Sequence, residues 1–399
     1  MKFAYTMKPL AVAVLGLGLS APVLAFDDID LGQGTVLESR LTATYSVGTR
    51  LSKADRLLSS DATNATGNDG NNNFKRGDLT ANRLALLFDT HLKNGRSGFV
   101  LSASTFYDDV YHQGNSHSKT VNAPNTLGKA DHFPSRTKRY HGGYSRLMDA
   151  YAYTTFNLGD QGRMTVRAGK HVVSWGETLF IGGVSSAQGP ADGTKVGVAG
   201  TEVKDMLLPE DQVSLLYEVT PELSLMAHAQ YGWHETILNA PGSFMSNNDL
   251  MGPGSPCLST AGGRCTGPRV KGKEPKDSGQ WGVGAKYRVT DETEVGLIYL
   301  NYHDRAPAGL DVRGMMMDIG GTPTFIPTSY SPIFFDNIKM LATTFTTTFG
   351  EFTVGGELSY RKDAPANLVG GAPTKANVWQ TNVNTMYNLG RTVLAPQGT

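Results

Sequence analysis

The stretch VRAGKHVVSWGETLF, residues 166–180, places Lys170, Ser174 and Glu177 close together in the chain. The chemistry such a set suggests is nucleophilic acyl transfer, a serine activated by a neighbouring base. The context is wrong for it. A nucleophile elbow needs Gly-x-Ser-x-Gly, and Ser174 sits instead in Val-Ser-Trp-Gly-Glu. His228 and His234 lie on a distant segment and could meet serines only across a closed structure. No Walker-type phosphate loop and no zinc motif occurs. The sequence is therefore read as non-catalytic, with no cofactor.

Other polar clusters are equally plain. His112, His117, His132 and His141 share the 111–146 segment with Lys119, Lys129, Arg136, Lys138, Arg139 and Arg146. The histidine spacing matches no zinc pattern. The segment reads as a basic rim that attracts anionic solutes or the phosphates of lipopolysaccharide. DATNATGNDGNNN, residues 61–73, lacks the ligand spacing and closing glutamate of a calcium loop. Cys257 and Cys265 stand close together in PCLSTAGGRC. A local disulfide is the default in an exported chain, and a two-cysteine zinc site is the weaker alternative.

Export is argued from the first 25 residues. Lys2 and Lys8 precede a short apolar run, Pro9–Leu19, and Val23-Leu24-Ala25 supplies small residues at a cleavage position. The mature chain is expected to begin at Phe26 and to form one unit over 26–399. Removing two lysines from a neutral chain leaves a slight acidic excess, which does not suggest nucleic acid. Beyond the leader there is no apolar run long enough for a helix to span a bilayer. Any membrane entry must use strands.

Strands are what the pattern predicts. In VLESRLTATYSVGTRL, Leu37, Leu41, Ala43, Tyr45 and Val47 share one face, and Glu38, Arg40, Thr42, Thr44 and Ser46 the other. The same split recurs in ELSLMAHAQYGW, GQWGVGAKYRV and EFTVGGELSYRK. Twelve such segments are expected, near 35–51, 83–92, 98–110, 147–158, 163–173, 211–219, 222–234, 279–289, 293–303, 337–349, 351–361 and 378–388. Short turns and long loops alternate strictly between them. The long ones are 52–82, 111–146, 174–210, 235–278, 304–336 and 362–377. That asymmetry is the signature of an outer-membrane barrel, all-β, antiparallel and up-and-down, with long loops outside. NLGRTVLAPQGT then opens a thirteenth strand without a terminal aromatic residue, so a barrel of fourteen or sixteen strands continuing past Thr399 is the expectation.

Three segments resemble the proteobacterial exported family known as domain of unknown function 1302: NNFKRGDLTANRLAL at 72–86, GKHVVSWGETLF at 169–180 and AGTEVKDMLL at 199–208. DNIKMLATTFTTTFG and GGELSYR look similar as well. The resemblance implies an outer-membrane, porin-like channel handling hydrophobic or lipid-like compounds. It also implies a partner lipoprotein and an efflux-type pump. It carries no catalytic residues.

Within this barrel the inward face is expected to hold Glu38, Arg40, Arg167, Gln212, Glu218, His228, Gln230, Lys286, Arg288, Glu357 and Arg361. Their mixed signs argue for a polar lumen or for paired charges, since a single-sign ring would mark strong ion selectivity. The alternation breaks at Gly169. A bulge there would turn Lys170 and Ser174 inward and Trp175 outward to the aromatic girdle. Gly176 and Glu177 would then lead the chain over the rim, and the 177–210 loop would enter and narrow the lumen. Met315, Met316, Met317, Phe325, Phe334 and Phe335 put much apolar surface on one external loop, costly in water. They are expected to fold into the mouth or to form an adaptable binding patch. Two functions follow: a channel for hydrophobic or amphipathic compounds, or a general porin for small polar solutes. An enzyme or adhesion barrel is the alternative of another class.

Overall fold

Alternation of apolar and polar residues yields strands with two chemically different faces, and a sheet of such strands must curl if one face meets lipid. A computed structural model describes residues 14–20, 24–118, 129–178, 182–255, 257–258, 260–261, 264–367 and 372–390. Twelve antiparallel strands form its wall. The first nine are β1 Thr35–Arg50, β2 Leu79–Asn94, β3 Ser97–Asp108, β4 Gly143–Leu158, β5 Gly162–His171, β6 Glu210–Glu218, β7 Leu223–Gln230, β8 Gln280–Arg288 and β9 Thr293–Tyr302. A hairpin, β10 Gly309–Ile319 with β11 Thr322–Ile333, stands apart from the wall as its own two-stranded sheet. The wall resumes with β12 Ile338–Phe349, β13 Phe352–Ala366 and β14 Thr374–Tyr387.

Each wall strand pairs with its sequence neighbour, β9 pairing with β12 across the hairpin. Every long connection lies at one end and every short turn at the other. Among the described residues no ladder joins β14 to β1. Val14–Ser20, from the expected leader, pairs with residues 44–50 of β1 in the full chain. Among the described residues no helix is long and apolar enough to cross a membrane. The expected strand beginning at Arg391 falls outside the described residues.

The outward parity is apolar along the whole sheet. Phe88, Phe99, Phe156, Val213, Leu225, Val283, Leu297, Leu341, Leu358 and Val383 all stand exposed on it. Such surface suits lipid and would be costly in water. The inward parity is two-toned. On β1 to β6 it is mostly polar, with Leu87 and Phe106 buried among the polar side chains. On β7, β9 and β12 it carries Met226, Ile298, Leu300, Ile338, Met340 and Ala342, which form a buried cluster with Val173, Trp175 and Val184. Burial of one such side chain contributes about 1.5–3 kcal/mol.

Two local expectations are corrected here. The first concerns the hairpin. Residues 304–336 do not form an open loop folded into the mouth: Met315, Met316 and Met317 lie on β10 and are 54%, 63% and 47% exposed. Gly320 and Gly321, both at positive φ, make the tight turn that lets this segment pair with itself. Phe325 is exposed with them, whereas Phe334 packs edge-on against Trp233 at 5.2 Å and Phe335 joins the inner cluster.

The second correction concerns Gly169. β5 is unbulged: it runs in unbroken register with β4 on one side and β6 on the other. The extra residue sits one strand away. Leu101 faces Ala150 and Ala103 faces Leu147, so β4 has an additional residue at Met148–Asp149. There Met148 is 1% exposed, and Asp149 bonds to Ser102 through its N–H at 2.9 Å. Gly169 faces Tyr151 just beyond this bulge, at φ +124°. A Cβ there would lie 2.5 Å from the Ala150 carbonyl oxygen, so only glycine fits. Lys170 consequently stays on the outward parity, at the rim end of β5, with Nζ 3.9 Å from Asp211. Trp175 is turned inward, 8% exposed, its ring edge-on to His228 at 5.0 Å.

Candidate functional site

After His171 the chain leaves the wall and passes to its inner side. Residues 172–178 and 182–209 form an inner loop whose backbone is fastened by wall side chains. Glu357 on β13 is the main anchor. Its Oε1 accepts the N–H of Glu177 at 2.6 Å and that of Thr178 at 3.2 Å; its Oε2 accepts the N–H of Val184 at 3.0 Å. The approach is so close that a Cβ on Gly176 would sit 2.4 Å from Oε1. Backbone N–H groups gathered on one carboxylate make charge-assisted bonds, stronger than neutral ones.

The Glu177 side chain answers in the other direction. Lys286 on β8 donates to its Oε1 at 2.8 Å and also reaches Glu294 at 3.0 Å, while Thr346 on β12 donates to Oε2 at 2.8 Å. Gln380 on β14 donates to the Gly182 carbonyl at 2.7 Å, and Arg361 to that of Gly183 at 3.4 Å. Ser174, expected inward, is exposed and bonds Ser185 at 2.8 Å.

The same loop is held on the opposite wall. Lys204 reaches Asp89 on β2 and, at 3.5 Å, the bulge residue Asp149 on β4. Ser46 on β1 donates to the Ala199 carbonyl at 2.6 Å. Side chains from both ends of the sheet thus converge on one segment, so the wall curls around it and the segment crosses the lumen. The apolar cluster under Trp175 and Val184 completes the filling.

The remaining inward residues pair locally. Glu38 meets Lys93 and His91, Arg40 meets Asp89 at 3.3 Å, and Glu218 meets Arg163 at 3.1 Å. Arg167 lies 5.8 Å from the Tyr151 ring centroid. Gln212 and Gln230 are buried and join the loop, Gln230 donating to the Gln188 carbonyl at 2.6 Å. Arg288 is exposed near the short turns. Sequence reading missed Arg305, which is 3% exposed and donates to Gln230 and Gln280 at 2.6 and 3.0 Å beside Glu210. It lies in a connection with no alternation to reveal it.

Among the described residues one serine–histidine side-chain pair is within reach, Ser214 Oγ and His171 Nε2 at 2.7 Å. The other ring nitrogen meets the Gly169 carbonyl at 3.0 Å, where a catalytic triad would have a carboxylate. Among the described residues no group of three His, Cys, Asp or Glu is arranged to hold a metal. His112 meets the Gly142 carbonyl, His117 meets Asn73, His132 meets Asp131, and His141 accepts from the Ala240 N–H. Cys257 and Cys265 form a disulfide.

An apolar exterior, an inner face crossed by a tethered loop, and long connections at one end define an outer-membrane β-barrel of porin-like architecture, a channel-type wall of the Gram-negative outer membrane. The chain belongs to the family described as protein of unknown function DUF1302, whose model matches residues 6–393. No curated protein matches the sequence. Solved structures it resembles include the ferric-catecholate import receptor Fiu from E. coli K12, at 10% identity over 94% of this chain and 56% of that one, TM-score 0.31. The siderophore receptor PirA from Pseudomonas aeruginosa matches at 11% over 94% and 59%, TM-score 0.30. A Rh. blastica porin mutant matches at 12% over 94% and 96%, TM-score 0.21. The chain spans under two thirds of the length of the two receptors.

Proposed function

We propose that the protein is a gated outer-membrane channel for hydrophobic or amphipathic small molecules. One observation carries the reading: the segment filling the lumen rests on an apolar inner face. Met226, Ile298, Leu300 and Met340 line the wall beneath Trp175 and Val184. A passage for polar solutes alone would have no use for that surface, since apolar area facing water is unfavourable. The fastenings around Glu357 and Lys204 are hydrogen bonds and ion pairs between side chains of the wall and one segment, which suits a loop that shifts as a unit. We propose no catalytic role.

Purified full-length protein in planar bilayers tests this. Small, intermittent conductance is expected, with accelerated uptake of an apolar fluorescent probe into liposomes that carry the protein. Large, steady conductance with no uptake of the probe would favour a general diffusion porin. Silent bilayers together with ester hydrolysis that disappears in Ser214→Ala would favour an enzyme.

A further inference from the structure

The wall has a notch. β4 is sixteen residues long, but β5 pairs only with its Ala150–Leu158 half. Beyond His171 the β5 chain has turned into the lumen, so residues 143–149 of β4 have no ladder on that side. An open crevice of about 800 Å³ fills the gap. Its near edge comes from Tyr144, Arg146, Leu147 and Lys170, and its far edge from Trp233 and His234 beyond β7. The floor is the inner loop itself, at Pro190 and Leu208, tied by a hydrogen bond from the Leu208 N–H to the Pro190 carbonyl at 2.9 Å.

Two features make this more than a surface dent. Residues of both parities line it. Leu147 belongs to the lipid-facing surface, 48% exposed, while its neighbour Arg146 points inward. The crevice therefore connects the outer apolar surface with the loop in the lumen. Its deep part is also basic and aromatic. The Arg146 guanidinium lies 4.8 Å from the Tyr144 ring centroid, and its Nη1 is 3.0 Å from Asp192, yet neither terminal nitrogen has a hydrogen-bond partner although both are buried. Among the described residues Lys170 has one ion partner, Asp211, at 3.9 Å. Glu235, Glu274 and Asp277 also line the crevice, and burial raises the pKa of Glu235.

We infer that this notch is a lateral binding site for a single-chain amphiphile with an anionic head. The chain lies along Leu147, Trp233 and Leu208, and the head meets Arg146 and Lys170. This rests on the channel reading above, and it adds where the compound enters and what charge it bears. A bound chain would press on the Pro190–Leu208 floor, which is continuous with the loop that Glu357 holds.

The test uses full-length protein in nanodiscs and a doxyl-labelled stearate, with the matching doxyl-labelled alcohol as control. Saturable quenching of tryptophan fluorescence by the stearate is expected above the unsaturable background from the outward-facing Trp281 and Trp379, and Trp233→Phe should remove the saturable part. Lys170→Met should weaken stearate binding about tenfold and leave the alcohol unchanged, with Arg146→Met as a second variant. Saturable quenching that survives Trp233→Phe, or equal effects of Lys170→Met on both probes, would overturn the site. Wild-type conductance is recorded in parallel. A conducting protein without stearate binding refutes the notch and leaves the channel standing, whereas binding without conductance refutes the channel alone.

Discussion

Glu177 and Glu357 are 180 positions apart, yet the N–H of the first meets the carboxylate of the second at 2.6 Å. Two residues of like charge thus share one contact, each carboxylate with partners of its own. Glu357 takes backbone N–H groups, and Glu177 takes Lys286 and Thr346. The loop is held by the wall and holds the wall in return.

Glu357→Gln removes the charge from this clasp, keeps one neutral acceptor and replaces the other oxygen by an NH2 group that cannot accept a backbone N–H. Charge-assisted bonds contribute about 1.5–3 kcal/mol and neutral ones about 1. The closed population should fall roughly tenfold by that difference. Single-channel recordings should show longer and larger openings. An unchanged open probability would rule out Glu357 as the fastening.

The outward parity makes a separate demand. Leu297, 55% exposed at the middle of β9, faces lipid if the wall is oriented as described. Leu297→Lys should lower stability in bilayers by about 2–4 kcal/mol, read from urea unfolding of protein folded in vesicles. A cost below about 1 kcal/mol would place that face elsewhere.

Acid should loosen the external loops near His141. This side chain is buried, and burial lowers its pKa from 6.5 to about 3. It must stay neutral to accept the Ala240 N–H at 3.1 Å. A depressed folded-state pKa means stability that is full above pH 6.5 and lost as pH falls toward 3. Protease cleavage in the 235–255 region should rise over that window in the wild type. His141→Gln, which keeps an acceptor and cannot titrate, should flatten the response.

The disulfide closes a short span between Cys257 and Cys265, at a Cα separation of 5.7 Å. A bridge over so short a loop contributes about 2 kcal/mol, and here that applies to the loop alone. Reduction should expose residues 255–268 to proteases while heat-modified migration on gels, the mark of an intact barrel, stays the same. Collapse of the barrel on reduction would show that the loop supports the wall.

Alternation made the wall legible. All twelve expected strands are present, because lipid on one side and polar or loop contacts on the other impose period two on every strand. It located the anchor too: Glu357 reads as inward from EFTVGGELSYRK alone. What it could not supply was the partner, since backbone N–H groups have no sequence signature. Gly169 shows a subtler limit. The parity of β5 does not break there: Lys170 keeps the outward side at the rim end of the strand, and the chain leaves the wall only after His171, a departure that a period-two pattern cannot tell from a bulge. Trp175 was misjudged because an apolar residue facing lipid and one facing an apolar lumen obey the same rule. The Met315–Met317 hairpin was hidden because both of its faces are exposed, leaving no alternation to read.

The inner loop also bears on how the protein acquires its structure. Its residues come from the middle of the chain, but Glu357 and Gln380, which hold them, lie on β13 and β14. Contacts so distant in sequence close a long stretch of chain and form late. The clasp on Glu357 and Gln380 therefore needs β13 and β14 in place, whereas the contacts of the same loop to Ser46, Asp89 and Asp149 need only strands that precede it in the chain.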